Sequence, residues 1–179
     1  HGVIVVTTGL LEKMNRQELE GVVAHEMSHI KNLDIRTMML AVVLVGVITL
    51  LSDFLLRSFL WGGGSRDRDK GSAGIIFILV GIVLAILAPL IAELIKLAIS
   101  RKREFAADAG AAVLTRNPVG LASALNKISN DPDPLVDTAN RATAHLFIST
   151  PFRKKKGFFT NLFSTHPSIE ERVKRLEAM

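Results

Sequence analysis

The 179-residue sequence contains no cysteine, no tyrosine and a single tryptophan. Without cysteine, disulfides and thiolate-ligated metals are excluded. No signal peptide opens the chain, because His1 leads straight into a β-branched run. Such an abrupt start predicts a fragment lacking its natural N-terminus. There are no internal repeats, and the length is that of one domain with room for a core.

Apolar residues, by contrast, are abundant. They make up 49% of the chain and give a mean hydropathy of +0.34. Much of this content lies in two blocks, residues 38–60 and 73–99. Ala73 to Ala92 carries no charge and is about the ~20 residues a helix needs to cross a bilayer. The first block is poorer, interrupted by Asp53 and Arg57. A short Gly-rich loop joins it to the second, so the pair reads as a helical hairpin through a lipid bilayer. The net charge is +5, with basic clusters at 101–103 and 153–156. Lys and Arg flanking cytoplasmic helix ends explain these better than a nucleic-acid surface does, so no nucleic-acid partner is expected.

Along the chain, residues 3–8 read as a strand ending at Gly9. Asn15, with Glu18 three residues on, predicts a capped helix through about Asn32. The second apolar block continues into a polar helix over 100–115, Pro118 opens a helix to about Ser129, and Pro167 begins the last one.

The decisive feature is His25-Glu26-Met27-Ser28-His29. Positions i and i+4 share a helix face, so His25 and His29 can hold one metal ion, with Glu26 beside its open side as a base. Two imidazoles and a carboxylate suit zinc and leave a position for water, whose pKa the metal lowers to ~7. Ala24 and Ser28 are small and leave room beside the metal. A third ligand is available in Glu104 or Asp108, again i and i+4. One of these carboxylates can bind the metal while the other accepts the free N–H of a ligand histidine.

Taken together, these stretches resemble the HtpX-type heat-shock membrane zinc proteases. The likeness is carried by Thr8-Gly9-Leu10-Leu11, the HEMSH motif, Asn32-Leu33-Asp34, the apolar hairpin, residues 100–109 from Ser100 to Ala109, and Ser164-Thr165-His166-Pro167 with Glu171-Arg172. It implies a gluzincin-like peptidase with one Zn2+ per chain, Glu104 as third ligand and Asp108 behind it. His166 matches the family's His-Pro histidine, where an imidazole can stabilise an oxyanion, and Arg172 follows six residues on. His145 has no such match and reads as structural. Members of that family usually begin with two further membrane helices, a second reason to expect a truncated sequence.

The expected fold is mainly α with a small β-sheet, an α+β gluzincin-like domain carrying an inserted transmembrane helical hairpin. Its parts are residues 1–36 and 100–179, forming the catalytic domain, and 37–99, the hairpin. The expected function is cleavage of polypeptides, including misfolded membrane proteins, at a cell membrane. Lys31, Arg36, Lys96 and the basic residues 101–103, set against Arg66, Arg68 and Lys70, favour an active site facing the cytoplasm. The motif helix is amphipathic, which argues against an intramembrane protease. A non-proteolytic scaffold with a structural zinc is the alternative, and it gives Glu26 no role. A lipid-binding module using residues 153–156 leaves the HEMSH helix unexplained.

Overall fold

The computed structural model describes residues 2–61, 72–130 and 166–179. Among them are six helices: α1 (Thr8–Lys13), α2 (Arg16–Lys31), α3 (Asp34–Trp61), α4 (Ser72–Thr115), α5 (Pro118–Asn130) and α6 (Ile169–Glu177). His145, Arg66, Arg68, Lys70 and the basic run 153–156 lie outside the described residues.

The small β-sheet expected from residues 3–8 is not formed: the described residues contain no strand. β-branched side chains favour an extended backbone, but a strand also needs a partner for its N–H and C=O groups. Residues 2–7 have no strand to pair with among the described residues, and Val3 and Val5 stand 80% and 85% exposed. The run also ends early, because the Thr7 hydroxyl accepts from Leu10 N and starts α1 at Thr8.

The chain divides into two compact units, His1–Ile35 with Ser100–Met179, and Arg36–Ile99. Within the first, α5 packs against both α2 and α6. Val22, Leu121, Leu125, Val173 and Leu176 form its core. Glycine lets α2 and α5 approach closely. A Cβ on Gly21 would sit 2.8 Å from Leu121 N, and one on Gly120 2.8 Å from the Gln17 carbonyl.

Helix α2 begins with the anticipated capping box: Asn15 Oδ1 accepts from Glu18 N, and Glu18 Oε2 accepts from Asn15 N. The Glu18 carboxylate is 2% exposed and also accepts from Ser123 (2.6 Å) and Lys127 (2.7 Å) on α5. Helix α6 starts two residues after Pro167, because the Ser168 hydroxyl caps it by accepting from Glu171 N.

In the second unit, the apolar parts of α3 and α4 are long enough to cross a membrane, with mean hydropathies of 2.5 and 2.8. Only 11% of the most apolar stretch of each is buried within the protein. A soluble core helix would be mostly covered, whereas Leu50 and Phe54 are 72% and 64% exposed. Helices apolar and uncovered to this degree fit a membrane. The charges interrupting them pair locally, Arg57 with Asp53 (2.8 Å) and Lys96 with Glu93 (2.6 Å). At 44 residues, α4 has more residues than the ~20 a bilayer crossing needs. Its polar continuation from Ser100 belongs to the first unit.

Burial alone would raise the Glu18 carboxyl. The bonds from Lys127, Ser123 and Asn15 outweigh it and hold the group below its usual range. A lowered folded value means a stabilisation that is complete above the ordinary carboxylate range and lost as pH falls through it. Glu18→Gln is expected to cost about 1–3 kcal/mol at neutral pH. In denaturant unfolding at pH 7 and pH 4, the variant should also lose less stability than the parent between the two.

Candidate metal centre

Helix α2 presents His25 and His29 one turn apart, with ring centroids 4.7 Å apart and the planes at 90°. Ser28, read from the sequence with Ala24 as leaving room beside a metal, also admits helix α4. A Cβ on Gly110 would lie 2.5 Å from Ser28 Oγ, and Ala107 and Ala111 on the same helix are fully buried. Close approach of the two backbones brings α4's carboxylates to the imidazoles.

Each histidine has one nitrogen committed to a buried carboxylate. His25 Nδ1 lies 3.0 Å from Asp108 Oδ1, and His29 Nδ1 lies 2.6 Å from Asp34 Oδ2. An ionised carboxylate only accepts, so each contact calls for the ring proton on Nδ1. Arg172 Nη2 is 3.4 Å from His25 Nδ1. Both are then donors, and they share Asp108 rather than bond each other.

The two Nε2 atoms therefore turn their lone pairs towards one point. They are 3.1 Å apart, with Glu104 Oε2 3.8 Å from that of His25 and Glu104 Oε1 3.6 Å from that of His29. One ligand atom from each of the three residues falls within 4.8 Å of the others. Zinc–ligand bonds of ~2.0–2.1 Å in a tetrahedron separate ligand atoms by about 3.3 Å, which these distances bracket. Glu104 Oε2 is buried without a hydrogen-bond partner, so the donor set fits a divalent cation. His25 is 1% exposed and Glu104 7%.

Two cations and a further imidazole surround this triad. Arg172, 1% exposed, donates to Asp108 through Nε (2.9 Å) and Nη2 (2.7 Å), and its Nη1 lies 3.2 Å from Glu104 Oε2. His166, just before α6, places Nδ1 3.3 Å from the same oxygen. Glu26 is half-buried on α2, and its charge reaches Arg172. Arg103 pairs with Asp34 and donates to the Asn32 carbonyl at 3.1 Å. Four carboxylates against two guanidiniums leave a net negative site, favourable for a divalent cation.

Glu104 and Asp108 lie beyond the apolar part of α4. Burial would raise both carboxyls. For Glu104, His166, Arg172 and His25 outweigh it, and for Asp108, His25 and Arg172 do, so both are held below the usual range. Burial would likewise lower Arg172, but Asp108, then Glu104 and Glu26, raise it. The carboxylates thus remain ionised and able to bind metal.

All the residues singled out from the sequence, His25, Glu26, His29, Glu104, Asp108, His166 and Arg172, come together here. In the sequence, Asp34 stands only within a family-like stretch and Arg103 only as a basic flank of the apolar hairpin. Asp34's position five residues past His29, beyond a helix end, was the available signal, and it could not be read without the turn that follows α2.

Residues 1–179 match the model of Peptidase family M48. Similar curated proteins include the Protease HtpX homolog of Caldanaerobacter subterraneus subsp. tengcongensis, 54% identical over 181 residues, covering 100% of this chain and 59% of that protein. The Protease HtpX homolog of Dictyoglomus thermophilum is 54% identical over 178 residues, 99% of this chain and 56% of that protein. That of Streptococcus uberis is 46% identical over 179 residues, 98% and 59% respectively. The chain thus spans under two-thirds of the length of these relatives. No solved structure matches it.

Removing Asp108 would leave the buried Arg172 guanidinium short of its main partner and free the His25 ring. Asp108→Ala is expected to lose about 3–5 kcal/mol in denaturant unfolding of the metal-free protein. Chelator competition should show its zinc affinity lowered by about 10–100-fold.

Proposed function

The chain belongs to peptidase family M48, and on that premise we propose that it is the catalytic portion of a membrane-bound, zinc-dependent endopeptidase. The observation that carries this reading is the convergence of His25 Nε2, His29 Nε2 and a Glu104 carboxylate without a hydrogen-bonded proton on one oxygen, beside the half-buried Glu26. His25, His29 and Glu104 would hold one Zn2+, which supplies Lewis-acid polarisation of a peptide carbonyl and favours ionisation of water.

The protein's own groups do the rest. Glu26 takes the proton of the attacking water and passes it to the leaving amine. Asp108 keeps His25 in its Nδ1–H form, and Arg172 holds Asp108 in place. His166 donates towards the oxyanion that develops on the substrate carbonyl. Residues 1–36 and 100–179 form the catalytic domain in this reading, and 37–99 is a transmembrane hairpin that keeps it at the bilayer. The basic residues Lys31, Arg36, Lys96 and 101–103 support a site facing the cytoplasm. Misfolded or damaged membrane proteins are the proposed substrates, in protein quality control. The names of the relatives, proteases, support the peptidase part of this reading, and the uncovered apolar surface of α3 and α4 supports its place at a membrane.

Zinc content and casein cleavage in detergent test the roles of the two carboxylates. Glu26→Gln should retain zinc and lose at least about 100-fold in kcat, whereas Glu104→Ala should lose both metal and activity. Stoichiometric zinc in the parent with unchanged behaviour of Glu26→Gln would instead make the chain a membrane scaffold with a structural zinc.

A further inference from the structure

Helix α2 ends at its cap residue Asn32, and the next residue, Leu33, adopts φ 55°. A non-glycine residue in the left-handed region costs roughly 1–2 kcal/mol. Leu33 gains little burial in return, being 51% exposed. What the turn achieves is the placement of Asp34. On an uninterrupted helix at 100° per residue, position i+5 lies about 140° around the axis from position i, so Asp34 would face away from His29. The left-handed break brings it back, and its Oδ2 comes within 2.6 Å of His29 Nδ1.

Asp34 is 5% exposed, and a buried carboxylate requires charged or hydrogen-bonding partners. Besides His29 it has Arg103, whose Nη2 pairs with it and also donates to the Asn32 carbonyl at 3.1 Å. That one guanidinium therefore joins the end of α2, the first residue of α3 and the turn of α4 carrying Glu104. Strain at Leu33 together with a buried ion pair is a poor design for stability alone, since burying charges costs about as much as their attraction returns. Strained backbone persists where a function over-determines it.

We infer that Asp34 is the positioning residue for His29, holding its ring as the Nδ1–H tautomer with Nε2 turned to Glu104, and that Arg103 acts through Asp34 by fixing that carboxylate. The inference builds on the zinc reading above and adds a second histidine–carboxylate pair to that of His25 and Asp108. Arg103 is thereby more than a basic residue at a helix end. It sets the register between the histidine pair and Glu104.

Two measurements on the full chain in detergent micelles test it. Nitrogen–proton couplings of 15N-histidine-labelled, metal-free protein report the tautomer of His29, assigned with His29→Gln. The parent should show His29 protonated at Nδ1, and a ring protonated at Nε2 overturns the inference without any variant having to fold. Chelator competition then gives zinc affinity. Asp34→Ala should weaken it by about 10–100-fold, the isosteric Asp34→Asn by less, and Arg103→Ala by less than Asp34→Ala. Because Arg103 acts through Asp34, the double variant should bind no more weakly than Asp34→Ala alone. Losses that multiply, or an Asp34→Ala affinity equal to the parent's, overturn the inference. A parent that binds no zinc sinks the metal reading, while the tautomer still decides the Asp34–His29 contact.

Discussion

Both imidazoles of the α2 pair give Nδ1 to a buried carboxylate, His25 to Asp108 and His29 to Asp34. The remaining arrangement follows from those two bonds. They commit one nitrogen of each ring and leave the two Nε2 atoms facing the space beside Glu104, a donor set that suits a divalent cation. They also require charged groups in the interior, and the guanidiniums of Arg172 and Arg103 balance part of that charge. Such a cluster is costly to assemble in an apolar setting, and a protein retains one when the charges serve a ligand or a reaction.

Close helix contact is the second constraint. A carboxylate on α4 reaches a histidine on α2 only because the facing positions are glycine, alanine and serine. Gly110 against Ser28 leaves no space for a Cβ. The same economy recurs where Gly21 and Gly120 bring α2 and α5 together. On the far side, α6 brings Arg172 under the site and Val173 and Leu176 into the core, so one short helix contributes both charge and packing.

Much of the site was legible before any coordinates. Residues at i and i+4 on a helix share a face whatever the tertiary context, so the HEMSH pair and the Glu104–Asp108 pair could be read directly, as could the capping box at Asn15. The choice of Glu104 over Asp108 as ligand was different. Spacing alone left both open, and the likeness to a family weighed for Glu104. In the structure Asp108 is engaged by Arg172 and His25 Nδ1, while Glu104 faces the two Nε2 atoms. The expected strand illustrates the reverse case. A β-branched run states a local preference, but pairing depends on a second strand, and the described residues offer none to residues 2–7.

Helix α2 with its Asn15 cap, α5, the two long apolar stretches and the histidine pair could be read locally, because each depends on neighbours within a few residues, whereas α1 with its Thr7 cap was not anticipated. Tertiary packing set the return of Asp34 to His29 through a left-handed Leu33, the pairing of Arg103 with Asp34 and of Arg172 with both Asp108 and Glu104, and the close seat of α4 against Ser28. Those outcomes rest on contacts between residues far apart in the chain, 71 positions for Arg103 and Asn32, and on one backbone angle that side-chain periodicity does not encode.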